Sequence, residues 1–248
     1  SNTNTRFGNL QMAEDSAPPL ADCEPWPLIK LVDYENDVTG MFMSGHPLDN
    51  FSFQLKHYGL TPIAEFNEFK EAVNLHPNPG RTFRIAGLVA EAQHRISKTG
   101  NKYGVFHIED YTSKMELMLF SDDYVKFNNY LEAGMVIFIS GTFRQRYSKS
   151  EFEFKVSQIT LLESLMKSCT KRMQIEADPK DISQDFIDFI EKNVKRFPGN
   201  TALKFCIHDR LAEFKVGMYN MEEGFEMNDE MANYLQQRAE LDVLVELT

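Results

Sequence analysis

Through the middle of the chain, apolar and polar positions alternate over five short stretches; on either side, apolar positions recur at helical spacing. The first stretch runs from Thr82 to Arg95, where Phe83, Ile85 and Gly87 alternate with Arg84, Ala86 and Leu88. A polar turn over 97–102 leads to a second strand, Tyr103 to Glu109. After Asp110-Tyr111-Thr112-Ser113, the third strand, Lys114 to Phe120, sets Met115, Leu117 and Leu119 against Lys114, Glu116 and Met118. Between Ser121 and Leu131 the period changes. Tyr124, Phe127, Tyr130 and Leu131 fall on one helical face, with Ser121 as the expected N-cap. Met135 to Tyr147 and Glu151 to Thr160 are the fourth and fifth strands, joined by a Ser148-Lys149-Ser150 turn. Three strands, a helix and two strands is the order of the OB fold, a five-stranded Greek-key barrel. Gly87, Gly104 and Gly141 fall where so small a barrel needs bends or bulges.

The flanks read differently. Residues 1–25 have few aliphatics and are expected to be a flexible lead-in. Residues 26–80 read as a helical linker segment. Leu28, Leu31 and Val32 have helical spacing, Pro47 suits a first helical position, and Phe51, Leu55 and Tyr58 follow before Gly59. A second helix is expected over Ile63 to Val73, and Pro77-Asn78-Pro79-Gly80 marks a boundary. Residues 81–162 hold the barrel. Residues 163–248 read as a small α/β C-terminal domain. Its elements are a strand from Met173 to Ala177, a helix from Asp181 to Val194 stopped by Pro198-Gly199-Asn200, a hairpin around Asp209-Arg210, a helix capped by Asn228, and a last strand to Leu247. The fold class is therefore α+β, mainly β.

Charge sharpens this division. The net charge is −11 over 248 residues, which by itself speaks against nucleic acid. Residues 1–80 carry 4 basic and 11 acidic side chains, residues 81–162 carry 11 and 9, and residues 163–248 carry 11 and 17. Only the barrel segment has a positive balance, so any contact with phosphates belongs there. Three widely spaced cysteines form neither a disulfide framework nor a zinc motif and fit a reducing cytoplasm. No apolar run reaches the length of a membrane span.

Single-strand binding needs cations along a groove and aromatic faces for bases, which OB folds place on strands two and three and in the loops after strands one and four. Here the first loop offers Lys98 and Lys102, flanked by Arg95 and Tyr103. Tyr103 and His107 share the strand face opposite Phe106 and Ile108, and the other loop offers Arg144, Arg146, Tyr147 and Lys149. Those nine are the candidate nucleic-acid-binding residues. His46 reads as holding the turn before Pro47, and Asp110 as capping a turn rather than serving acid–base or Mg²⁺ chemistry with Glu109. No catalytic constellation, metal-ligand spacing or cofactor motif stands out. An RNA-binding module like the anticodon-binding domain of an aminoacyl-tRNA synthetase and a purely structural barrel remain open on these residues.

Phe42-Met43-Ser44-Gly45-His46-Pro47-Leu48-Asp49-Asn50-Phe51 resembles a signature that precedes the OB domain in the bacterial DNA polymerase III alpha subunit family. Trp26-Pro27 and Tyr34-Glu35-Asn36-Asp37 fit the lead-in; Ala86-Gly87-Leu88-Val89, Lys98 to Lys102, Glu109-Asp110 and Glu116 to Phe120 follow in the family's order. The resemblance implies the C-terminal region of that subunit in a cytoplasmic replisome, without its polymerase carboxylates or metal-binding domain. In the parent chain these belong to a DNA-directed DNA polymerase, a nucleotidyltransferase. It also implies single-stranded DNA and the clamp-loader tau subunit as partners. Thr5-Arg6-Phe7-Gly8 resembles the family's sliding-clamp peptide, but Arg6 replaces an apolar residue and no Gln precedes it, which speaks against clamp binding.

Overall fold

The computed structural model describes residues 45–74, 80–145, 151–209, 214–219 and 224–248. The expected lead-in, the Trp26 helix and the Thr5-Arg6-Phe7-Gly8 segment lie outside them. Five strands, β1 (Thr82–Ile96), β2 (Lys102–Glu109), β3 (Lys114–Phe120), β4 (Val136–Gln145) and β5 (Phe152–Leu161), form one sheet in the order β3-β2-β1-β4-β5. All pairs are antiparallel. This is the OB-fold order, with the barrel open between β3 and β5 among the described residues. Bulges that leave Ala90 of β1 and Ser157 of β5 without a register partner bend those two strands.

The helix between β3 and β4 is shorter than its pattern predicts: Ser121–Phe127, followed by a 3₁₀ turn at Asn128–Tyr130. Ser121 is not the N-cap. It is the first helical residue, at φ 47, and Phe120 precedes it as an extended cap with no side-chain bond. The chain has no spare residue between β3 and the helix, so the sharp change of direction falls on Ser121 itself.

The interior holds Phe83, Ile85, Phe106, Ile108, Ile137 and Ile139, each almost fully buried. Helix α2 (Ile63–Ala72) lays Phe66 into this core, stacked on Phe143 at 5.6 Å and edge-on to Phe154 at 4.9 Å. Helix α1 (Ser52–His57) and the 3₁₀ turn before it, Pro47–Phe51, join a second core instead.

That core lies on a four-stranded sheet, β8-β7-β6-β9. Its strands are β6 (Thr170–Ala177), β7 (Pro198–Asp209), β8 (Phe214–Tyr219) and β9 (Asp242–Leu247). Strands β6 and β7 are parallel; β9 and β8 pair antiparallel on either side. The sequence places β6 too late: a short helix, Leu165–Cys169, runs directly into a strand that starts at Thr170. Pro198-Gly199-Asn200 is not a plain stop either, because these residues open β7 and bridge to Phe225. The expected amphipathic helix is Gln184–Arg196, capped by Ser183, and it buries Phe186 and Ile190. The Asn228 cap holds as expected, its side chain accepting from the Met231 N–H at 2.9 Å at the head of Asp229–Gln236. The Arg210 turn lies outside the described residues.

The two sheets share the second core. Ala86, Leu88, Val136 and Phe138, on the outer face of β1 and β4, belong to the same buried cluster as Met173, Ile175, Phe186 and Val243. Leu48, Phe53 and Tyr58 fill the space beside them. Strand β1 therefore loses its alternation: Ala86 and Leu88 are as buried as Ile85. Polar bonds fasten the wedge. The buried Tyr58 hydroxyl donates to Thr170 Oγ1 at 2.8 Å, since that oxygen's own proton goes to the Met166 carbonyl. The His57 Nδ1–H donates to the Val243 carbonyl at 2.9 Å.

Leu48 has no exposed surface, so Leu48→Ala should cost about 2–5 kcal/mol, read from the urea midpoint. A loss under about 1 kcal/mol would show that the wedge is not packed. Burial holds the His57 imidazole below the ordinary histidine range, against the bond to Val243. A depressed histidine takes up its proton more readily in the unfolded chain, so its stabilisation is complete above about pH 6.5 and falls as the pH drops further. Urea titrations between about pH 7.5 and about pH 5.5 should show a shallower decline for His57→Gln than for the parent chain.

Candidate nucleic-acid interface

The β1–β2 turn is set by its own short polar side chains. Ser97 Oγ accepts from the Asn101 N–H at 3.0 Å, the Ser97 N–H donates to the Asn101 carbonyl at 2.8 Å, and Gly100 takes φ 81. An open groove of about 470 Å³ lies against this turn, lined by Ser97, Lys98, Thr99, Asn101, Lys102, Tyr103, Phe120 and Ser121. Three of the expected residues, Lys98, Lys102 and Tyr103, line it. Arg95 stands beside them, because it pairs directly with Tyr103 across β1 and β2, and its guanidinium donates to Gln93.

Phe120 was missed in the sequence. Its register partner is Tyr103, and the two rings stack at 5.5 Å with 16° between their planes. Phe120 remains 55% exposed, so the pair presents a wide aromatic face beside two lysines. Alternation along β3 carried part of the signal, since it sets Phe120 on the outward side; the pairing with Tyr103 needed the β2–β3 register. Gly104 makes room underneath. A Cβ there would lie 2.2 Å from the Phe106 ring.

His107 is on the expected face but in a different electrostatic setting. Its Nδ1 lies 3.4 Å from Glu91 and its Nε2 3.8 Å from Glu116, one carboxylate from each neighbouring strand. Arg144 pairs in register with Glu153, and it lies beyond the Thr82–Thr142 pair, at the end of β1 away from Arg95. The β1–β2 residues therefore come together, while His107 and Arg144 stand apart from them. Arg146, Tyr147 and Lys149 lie outside the described residues.

The rival chemistry has structural explanations. His46 caps the turn before Pro47: its Nδ1 accepts from the Leu48 N–H at 3.1 Å, and the Asp49 carboxylate accepts from the His46 N–H at 2.8 Å. Burial keeps the imidazole below its ordinary range, against the pull of Asp49, Glu109 and Asp110. Asp110 accepts from the Thr112 N–H at 2.7 Å, the Ser113 N–H at 3.0 Å and the Ile63 N–H at 2.8 Å, so it caps its own turn and the head of α2. Glu109, 6% exposed, is paired with Lys114 at 2.7 Å. Glu226 is paired with Lys167 at 3.0 Å. Cys169 and Cys206 are free and buried. Among the described residues no group of three or more His, Cys, Asp or Glu side chains is placed to hold a metal ion, and no helix is long and apolar enough to cross a membrane.

Comparison with known proteins agrees with the OB order of the strands. Residues 83–162 match the model of an OB-fold nucleic acid binding domain, and residues 173–246 match that of the DNA polymerase III alpha subunit, C-terminal domain. The chain resembles the C-terminal region of the DNA polymerase III alpha subunit. It is 29% identical to that subunit of Escherichia coli K12 over 138 residues, 54% of this chain and 11% of the relative. It is 24% identical to the Haemophilus influenzae subunit over 197 residues, 79% of this chain and 16% of the relative. The chain thus spans well under a fifth of the polymerase III alpha subunits it matches. Among solved structures, the second OB-fold domain of replication protein A from Methanococcus maripaludis overlaps 34% of this chain and 87% of its own, at 20% identity and a TM-score of 0.24.

Replacing Asp110 by Ala removes acceptors from two elements at once. Asp110→Ala should lower stability by about 1–2 kcal/mol in thermal or urea unfolding. An unchanged midpoint would reopen a chemical role for this carboxylate.

Proposed function

We propose that this chain is a non-catalytic segment of a replicative polymerase that holds single-stranded DNA on its OB sheet. One observation carries the reading: Lys98 and Lys102 line one open groove with half-buried Tyr103 stacked on exposed Phe120, and Arg95 stands next to Tyr103 in register. Lysine and arginine supply the phosphate attraction, and the rings supply faces that any base can use. The resemblance to the polymerase III alpha subunit supports DNA as the natural strand, and supports a parent chain with DNA-directed polymerase activity located elsewhere in it. The unit around the second sheet, acidic overall, is the docking element for the clamp-loader tau subunit in this reading, supported by the match over 173–246.

Fluorescent single-stranded DNA titrated into the protein at low and moderate salt tests the interface. Stacking is worth about 1–3 kcal/mol per base, so Tyr103→Ala or Phe120→Ala should weaken binding about 5-fold or more. Three nearby cations give a salt slope of about −2, at about −0.7 for each phosphate. Lys98→Ala/Lys102→Ala should flatten that slope. Absence of binding at low salt would remove DNA from the reading, and tighter binding to RNA of the same sequence would turn it toward an RNA-binding module.

A further inference from the structure

The pairing register orders the outer face of β1, β2 and β3 into rows that cross the strands. The first row is Arg95, Tyr103 and Phe120; the second is Gln93, Val105 and Met118. The third is Glu91, His107 and Glu116. Successive rows lie about 7 Å apart, two residues along a strand, a stride within reach of a single strand whose bases are splayed rather than stacked on one another. In the second row Met118 is 50% exposed and Val105, at 8%, forms the floor beside it, while Gln93, half-buried at the β1 end, accepts from Arg95. The third row reverses the sign. Its two carboxylates flank His107, so it stays net negative even with the imidazole protonated. Beyond it, Glu109 and Lys114 neutralise each other.

Building on single-strand binding at this face, we propose that it seats two consecutive bases, one on Tyr103–Phe120 and the next on Met118 over Val105, and that the Glu91–His107–Glu116 row ends the track. A phosphate carried past Met118 meets two carboxylates, and Lys114 beyond them is already held by Glu109 and drawn by Glu91. Glu91 and Glu116 are thus specificity determinants: they fix a short footprint and turn the rest of the strand away from the sheet.

The test compares thymidine di-, tetra- and octanucleotides on the intact chain at several salt concentrations. The tetra- and octanucleotide should share one salt slope, because the longer strand gains no further phosphate contact. Met118→Ala should weaken the tetranucleotide about 5-fold or more, whereas Met118→Leu, which keeps the apolar surface, should bind like the parent. Glu91→Gln/Glu116→Gln should leave the dinucleotide unchanged and give the octanucleotide a steeper slope and an affinity about 5-fold higher. If the parent's slope steepens from tetra- to octanucleotide, or the double variant behaves like the parent with the octanucleotide, the two-base track is wrong while single-strand binding stands. If the parent binds none of the three, single-strand binding itself fails and the track with it.

Discussion

Burial of the first half of β1 on both of its faces is the constraint from which the rest of the arrangement follows. Phe83 and Ile85 point into the OB sheet, while Ala86 and Leu88 enter the core of the second sheet with Val136 and Phe138. From Ile85 to Val89 the strand presents no side chain to solvent on either side, and its alternation disappears there for that reason. The turn at His46-Pro47 and helix α1 complete the seal, with Leu48, Phe53 and Tyr58 buried where the two sheets meet. The capping bonds of His46 and Asp49 hold Leu48 in this seam.

Because one half of the outer surface is spent on that seam, a ligand has only the other half to use. The bulge between Val89 and Glu91 separates the two: before it β1 is enclosed, after it Gln93 and Arg95 reach solvent beside β2 and β3. The acidic balance of the whole chain has little bearing there. Solvent-exposed charges act over about one Debye length, roughly 8 Å at physiological salt, so the lysines of the turn dominate their own surroundings. Acids close to the groove are partly compensated, as Asp123 is by Lys155.

Most of the strand order was legible from alternation, because β3 buries one side only and its Met115, Leu117 and Leu119 stand out plainly. Misreadings occurred where a second influence acted on the same residues. Alternation separated the two faces of β1 correctly, but burial of the Ala86 and Leu88 face by a partner sheet cannot be read from one strand. Ser121 looks like a cap by residue type, yet the tight strand-to-helix turn makes it the first helical residue. At the interface, Lys98, Lys102 and Tyr103 were readable because a turn between two strands brings them together by sequence proximity alone. Phe120 and the company of His107 depend on register between strands, which residue type does not encode.

His107 and Phe120 make that distinction physical. A histidine on an exposed strand face is a reasonable partner for a phosphate, and a phenylalanine at a strand end is a reasonable core residue. Cross-strand pairing inverts both expectations: it gives His107 two carboxylate neighbours, and it lays Phe120 against Tyr103 in solvent. The sign of the field at a site is set by neighbours within a few ångströms, where Coulomb energy between surface charges is about 4 kcal/mol at 4 Å in an effective dielectric of about 20. A single imidazole between two such charges cannot attract a phosphate on its own account. Single-strand recognition on this sheet therefore depends less on how many cations the segment carries than on which row each one joins.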